Sequence, residues 1–371
     1  MKIALLELRR RPSRFATATV ILTLIATLLM LLGGLLDGLL DGSTSAVKAQ
    51  PGDVIVFSDT SESSFLRSRI SPETRARVEA VPGVAAVGGI GVAQLGARVP
   101  GNDPRDLVDV ALFGYQLAPD GVPDPPGDGE AYADRSLESG GVEEGMTIEV
   151  GPQRTPVTIV GWVDGLAYSG QGTLWANEAT WREVVNENRP DAGVGDGVFQ
   201  SLVVQAEPGT DPAELARLID RETGDATASL TLDDAVNAIP GVEQQSSTFS
   251  QIIGVTVVIA TIVVALFFAL LTVERTALYG VLKAVGATSR SLFAGVVLQA
   301  VVVTFVASSV GALLALGLDL AVPPGGIPYT LLPARVLSSV VFLLVAAVVG
   351  CAFSLRRVLR IDPASAIGSG S

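Results

Sequence analysis

The chain has 371 residues, 38 of them acidic and 25 basic, giving a formal net charge of −13, with a single cysteine and no histidine. Without histidine the commonest metal ligand and general base is missing, and one cysteine cannot form a disulfide framework. A hydrolase would then need a carboxylate or Ser-Lys arrangement, and no motif offers one. No catalytic residue and no metal site are therefore expected.

The charge is unevenly placed. Four runs contain no Asp, Glu, Lys or Arg: 15–36, 252–273, 291–318 and 336–355. About 20 apolar residues at ~1.5 Å each span a ~30 Å hydrocarbon core, so each run reads as a transmembrane helix. Residues 37–250 hold 34 of the 38 acidic and 13 of the 25 basic residues; the remainder of the chain is therefore net basic. The expected organisation is a cytoplasmic segment at 1–14, helix one at 15–36, an extracytoplasmic α+β domain at 37–250 and helix two at 251–273. A cytoplasmic turn at 274–290, helix three at 291–318, an extracytoplasmic loop at 319–335, helix four at 336–355 and a cytoplasmic tail at 356–371 follow. The fold class is a four-helix membrane protein with a large α+β domain inserted between helices one and two.

Basic flanks fix the orientation. Lys2, Arg9, Arg10, Arg11 and Arg14, then Arg275, Lys283 and Arg290, then Arg356, Arg357 and Arg360 all fall on one side if four helices are counted. Short Lys/Arg-rich flanks stay in the cytoplasm, which places both chain ends there. The first run is longer than the usual signal-peptide core of about 7–15 residues, and no small-residue cleavage signal follows it, so it reads as a retained helix. The ending Gly368-Ser369-Gly370-Ser371 reads as an appended linker.

Within 37–250 the expected strands are Val54–Phe57, Leu107–Tyr115, Met146–Val150, Val157–Val163 and Ser201–Gln205, separated by Gly, Pro and Asp clusters. Ser71-Pro72-Glu73-Thr74 predicts a helix with a serine N-cap and proline at its first position, and a second helix is expected from Asp211 to Glu222. Residues 119–128, dense in Pro, Gly and Asp, predict an exposed loop. A boundary between two lobes is open near 84–99 and near Gly197. The acidity reads first as a solvated surface, with recruitment of a basic partner or cationic substrate as the other reading.

In the membrane runs, Gly33 and Gly34, Ser308, Gly311 and Ala315, and Ala346 and Gly350 are small residues that permit close helix packing. Gln299 is the strongly polar side chain within a span, and such groups face a bundle interior. The segment 274–288 places Leu278, Val281, Leu282 and Val285 on one stripe at i, i+3, i+4 and i+7, with Lys283 and Arg275 off it and Gly286 suited to a C-cap. Such a helix fits a groove on a partner or lies on the membrane surface. No G-x-x-x-x-G-K-[ST] phosphate loop occurs there.

Glu274-Arg275-Thr276 through Val281-Leu282-Lys283-Ala284-Val285-Gly286-Ala287 resembles the E-R-x-x-x-x-x-V-L-[RK]-A-[LV]-G-A motif of permeases in the MacB and FtsX superfamily of ABC transporters. The tail Asp362-Pro363-Ala364-Ser365-Ala366-Ile367 is similar to that family's closing pattern, and Gly145–Ile148 with Thr158–Gly161 resembles its strand pair. The order of one helix, a large domain and three helices also matches. The resemblance implies a permease subunit that moves a lipid, glycolipid or haem-like molecule outward by mechanical coupling. It further implies a separate ATPase in two copies, a second permease copy joined at helices one and two, an extracytoplasmic partner protein, membrane lipid and no nucleic acid. ATP would be bound by the partner subunit, with no cofactor on this chain, in a bacterial cytoplasmic membrane. Carried over by position, Glu274, Arg275, Gly280, Lys283, Gly286 and Ala287 would contact the ATPase. The other expectation is an FtsX-type protein that transports nothing and activates a cell-wall hydrolase.

Overall fold

The computed structural model describes residues 12–103, 105–274, 285, 288–321 and 327–358. The chain divides into two units, residues 1–38 with 247–323 and 329–371, and residues 39–246 with 324–328. One helix, α1 (Pro12–Lys48), contributes residues to both.

The uncharged run ends at Leu36, but α1 does not. Asp37, Gly38 and Asp41 carry no backbone restriction that ends a helix, and the Ser43 and Thr44 hydroxyls donate to the Leu39 and Leu40 carbonyls within it. Its 37 residues at ~1.5 Å each reach about 55 Å, well beyond a ~30 Å hydrocarbon core.

The α+β unit is built on one ten-stranded sheet. In chain order its elements are β1 (Val54–Ser58), α2 (Pro72–Glu79), β2 (Val84–Arg98), β3 (Val108–Tyr115), β4 (Glu130–Asp134), β5 (Thr147–Val150), β6 (Thr155–Val163), β7 (Ala167–Tyr168) and β8 (Gln171–Ala176). Then come α3 (Glu178–Asn188), β9 (Ser201–Ala206), α4 (Pro212–Glu222), β10 (Thr227–Thr231) and α5 (Leu232–Asn237). The strand order is β10-β1-β9-β2-β3-β8-β4-β6-β5, with β7 on β8. Pairs β3–β8 and β4–β6 are parallel. The far end of β2 also pairs with β5, Ala97 opposite Val150 and Arg98 opposite Glu149, which closes β2, β3, β8, β4, β6 and β5 into a ring.

Helices α2, α3 and α4 start on side-chain caps. The Ser71 hydroxyl, the Asn177 carbonyl oxygen and the Asp211 carboxylate accept from the backbone N–H of Thr74, Thr180 and Glu214. Each cap satisfies a donor that the first helical turn leaves unpaired.

The central strands are buried on both faces, which is why they read as apolar runs rather than alternating ones. Val54 and Val56 of β1 with Val110 and Leu112 of β3 enter one core. Ile55, Phe57, Ala111 and Phe113 enter the other. That second core is aromatic: Phe113 stacks on Trp175 with centroids 4.7 Å apart, and the Tyr168 ring meets Phe113 edge-on at 5.4 Å. Burial pushes the Tyr168 phenol up to about 12, against a smaller opposing hydrogen bond from Ser169. Burial likewise raises Tyr115, whose hydroxyl donates to the Pro123 carbonyl. Ala46 and Val47, near the end of α1, pack into this core. The backbone N–H groups of Ser169 and Gly170 donate to the Ser43 and Gly42 carbonyls of the same helix, and that of Ala167 to the Ser45 hydroxyl.

The expectation of a lobe boundary near 84–99 is overturned. Those residues form β2, whose 15 residues pair with β3, β9 and β5 in the middle of the sheet. Its run of glycines is a packing requirement. Phe199 lies over Gly89 and Trp181 over Gly91 and over Gly114 of β3, so closely that a Cβ at any of the three would overlap the rings. Gly197 sits with φ +70° in the turn before β9, a loop position within the same unit.

Three further helices complete the membrane unit: α6 (Val242–Glu274), α7 (Ser289–Ala321) and α8 (Pro333–Val358). With α1 they are, among the described residues, the four helices long and apolar enough to cross a membrane. The protein is thus a four-helix membrane protein whose α+β domain is inserted between the first and second spans.

Candidate functional site

Of the six residues expected to contact an ATPase, Glu274 ends α6. Arg275, Gly280, Lys283, Gly286 and Ala287 lie outside the described residues. Val285 is described and is 82% exposed. The Thr288 carbonyl and hydroxyl both accept from the Ser291 N–H, which starts α7 at Ser289.

The helices on either side of these residues are held by apolar packing. Phe15 and Leu22 of α1 share a buried cluster with Phe268 of α6, Ala300 of α7 and Ala347 of α8. Ala26 and Leu29 of α1 join Ala260 of α6 and Leu343 of α8 in a second. Gly311 faces the α1 backbone, where an added Cβ would lie 2.9 Å from the Ala26 Cβ and 3.1 Å from the Thr27 nitrogen. Gly350 faces α6 in the same way, a Cβ there falling 2.8 Å from the Thr261 carbonyl oxygen. In a bilayer close backbone approach is a main source of helix association, because lipid tails are as apolar as the side chains.

Polar side chains enter this bundle on α7. Gln299 is 5% exposed, and Thr304 and Ser308 are 1% exposed with hydroxyls that find no hydrogen-bond partner among the described residues. An apolar crevice of about 390 Å³ opens between α1 and α7, lined by Phe15, Thr19, Val302 and Val306 among others.

Sequence reasoning missed one pair altogether. The Arg335 guanidinium, in the first turn of α8, makes two bonds to the Asp37 carboxylate of α1, Nε to Oδ2 at 2.9 Å and a terminal nitrogen to Oδ1 at 2.5 Å. The stem of Arg335 crosses Gly33 and the Tyr329 ring crosses Gly34, where a Cβ would collide with either. The Thr330 N–H donates to the Gly34 carbonyl at 3.1 Å, and the Tyr329 hydroxyl to the Ala315 carbonyl at 3.3 Å. The glycine pair expected to serve ordinary helix packing therefore receives an arginine and a tyrosine. The 298-residue separation left no local signal to find the pair by.

In the α+β unit an open recess of about 380 Å³ is lined by Glu138, Glu143, Glu144 and Trp162. The Arg135 guanidinium lies 5.6 Å from the Trp162 ring centroid and bonds Asp164 and Glu138. Arg135 thus already occupies one face of the only aromatic side chain in the recess.

Residues 251–363 match the FtsX-like permease C-terminal family. A protein of Staphylococcus epidermidis described as "Putative hemin transport system permease protein HrtB" is 26% identical over 140 residues, 38% of this chain and 40% of that one. An uncharacterized ABC transporter permease of Mycobacterium tuberculosis is 37% identical over 117 residues, 30% of this chain and 31% of that one. The chain thus matches less than half the length of the curated relatives. Among solved structures, the periplasmic region of MacB from Actinobacillus actinomycetemcomitans is similar at 12% identity and a TM-score of 0.35, covering 53% of this chain and 96% of that one. Residues 251–363, which begin within α6 and contain the Glu274–Thr288 motif, are thus similar to the FtsX-like permease C-terminal family.

Proposed function

We propose that the chain is the membrane subunit of an ABC exporter, coupling ATP hydrolysis by a separate ATPase to outward movement or extraction of a hydrophobic or amphipathic molecule. The observation that carries this reading is the FtsX-like match over 251–363, which contains the Glu274–Thr288 segment between two membrane helices. Haem is the first substrate to test, since the relatives matched over 38% of this chain include a permease described for hemin transport. Lipid and glycolipid are the others. A binding site for haem in this chain would use tyrosine or carboxylate contacts and apolar burial, as the chain has no histidine.

In this reading the protein sits in the bacterial inner membrane with both ends and the 274–290 turn in the cytoplasm, following the Lys/Arg flanks. Two copies work with two ATPase subunits. Glu274, Arg275, Gly280, Lys283, Gly286 and Ala287 meet the ATPase, and α1 and α6, both longer than a bilayer requires, carry its closure to the acidic domain.

The test is co-reconstitution of the full chain with its cognate ATPase in lipid vesicles, measuring ATP hydrolysis with hemin, lipid or a wall hydrolase added. Stimulation by hemin or lipid is expected. Stimulation by a cell-wall hydrolase alone would replace export with the signalling role of an FtsX-type protein. A Gly286→Glu substitution is expected to uncouple hydrolysis while leaving the thermal stability of the α+β domain unchanged; loss of that stability would remove the docking role.

A further inference from the structure

The helix α1 is held to its bundle in two different ways. From Phe15 to Leu29 its buried side chains are apolar and lie in two clusters with α6, α7 and α8. From Gly33 to Asp37 a hydrogen bond and an ion pair are added to close packing on the two glycines and the burial of Leu36. One turn receives the Arg335 stem over Gly33, the Tyr329 ring over Gly34, the Thr330 N–H at the Gly34 carbonyl and the Arg335 guanidinium at Asp37. The segment that makes these contacts is steadied in turn by α7, since the Asp319 carboxylate accepts from the Leu331 N–H at 3.3 Å.

The two kinds of attachment respond differently to water. Apolar packing inside a bilayer has no competitor that gains by breaking it apart except lipid itself. A bidentate guanidinium–carboxylate pair is strong where water is excluded and much weaker where water enters. Here exclusion is partial and one-sided: the Asp37 side chain is 9% exposed and that of Arg335 29%. Arg335 also stands in the first turn of α8, two residues after Pro333, so its long stem can carry the charge to water if the pair separates. A structural tie buried at the centre of the bundle would have no such exit.

We propose that Asp37 and Arg335 form a releasable clasp. Paired, they hold the Gly33–Asp37 turn of α1 against residues 329–335; separated, that turn leaves its seat while the Phe15–Leu29 part of α1 stays packed. The clasp is a property of this chain alone and does not depend on an ATPase or on transport.

Hydrogen exchange of the full chain in lipid nanodiscs, read by mass spectrometry, tests this directly, because the Thr330 and Leu331 amides are donors within the clasp. In the unaltered protein these amides are expected to exchange faster than those of residues 20–29. Asp37→Asn and Arg335→Gln, each removing one charge at nearly constant shape, are expected to speed exchange in 327–335 by about tenfold or more and to leave 20–29 unchanged. The double variant Asp37→Asn/Arg335→Gln is expected to be no faster than the faster single variant, as for two residues acting through one interaction. Equal protection of 327–335 and 20–29 in the unaltered protein would overturn release. Unchanged exchange in both single variants, or an equal rise in 20–29, would overturn the clasp. Additive effects in the double variant would show that the two residues act independently and would overturn the pair.

Discussion

Gly311 of α7 faces Ala26 of α1 at backbone distance, with room for a hydrogen and none for a methyl group. Replacing Gly311 with alanine is expected to destabilise the helix bundle and replacing it with valine to destabilise it further, by about 1–3 kcal/mol, because both helices must separate to admit the new carbon. Gly317 of the same helix has nothing within 4 Å of its Cβ position, so Gly317→Ala is the matched control and should be neutral or mildly stabilising. Thermal unfolding of the full chain in detergent separates the two cases.

Trp181 is fully buried, stacked on Phe199 with planes 5° apart, and covers Gly91 and Gly114. Trp181→Ala is expected to cost about 3–5 kcal/mol through the lost burial and the cavity that remains. Gly91→Val should be comparably damaging by the opposite route, since it pushes the indole out of its seat. Denaturant titration followed by circular dichroism measures both.

Alkaline pH should weaken the α+β unit through Tyr168. Its phenol is raised to about 12 by burial, whereas an exposed tyrosine loses its proton near ~10. The unfolded chain therefore releases this proton first as pH rises, and stability, unaffected below pH ~10, falls by about 1.4 kcal/mol per pH unit until pH ~12. Tyr168→Phe should remove its share of that fall, leaving the part due to the likewise raised Tyr115 phenol, while changing the value at neutral pH little. Denaturation midpoints taken from pH 7 to 12 on both proteins provide the check.

The Ser45 hydroxyl in α1 accepts from the Ala167 N–H at 2.8 Å, and Ser45 is 8% exposed. Ser45→Ala leaves that donor without a partner away from water, at a cost of about 1–3 kcal/mol. Ser43→Ala, which removes a hydroxyl bonded within its own helix, should cost less. A denaturation series on the α+β unit's signal ranks the two.

The sequence announces its spans clearly because a bilayer forbids charge over some 20 residues, and four such stretches stand out. It does not announce that α1 runs on to Lys48, since Asp37 and Asp41 end an apolar run without ending a helix. Strands β1, β3 and β9 were readable from their β-branched and aromatic runs. Strand β2 was not, because Phe199 and Trp181 require glycine beneath them and glycine-rich stretches otherwise signal a linker. At the candidate site, the motif at 274–288 is local and therefore legible in one chain. The Asp37–Arg335 pair joins residues on the first and last helices, and only the folded chain brings them together.

The last turns of α1 belong to the core that Phe57, Phe113 and Trp175 build. A soluble fragment of the α+β domain cut at Val54, where the first strand begins, would strip Ala46 and Val47 from that core and leave the β7–β8 turn without the carbonyls of Gly42 and Ser43. Such a fragment should aggregate. One that starts at Leu39 and ends at Ser246 would keep its own helical lid, and the practical boundary of the domain therefore falls inside a helix rather than in a loop.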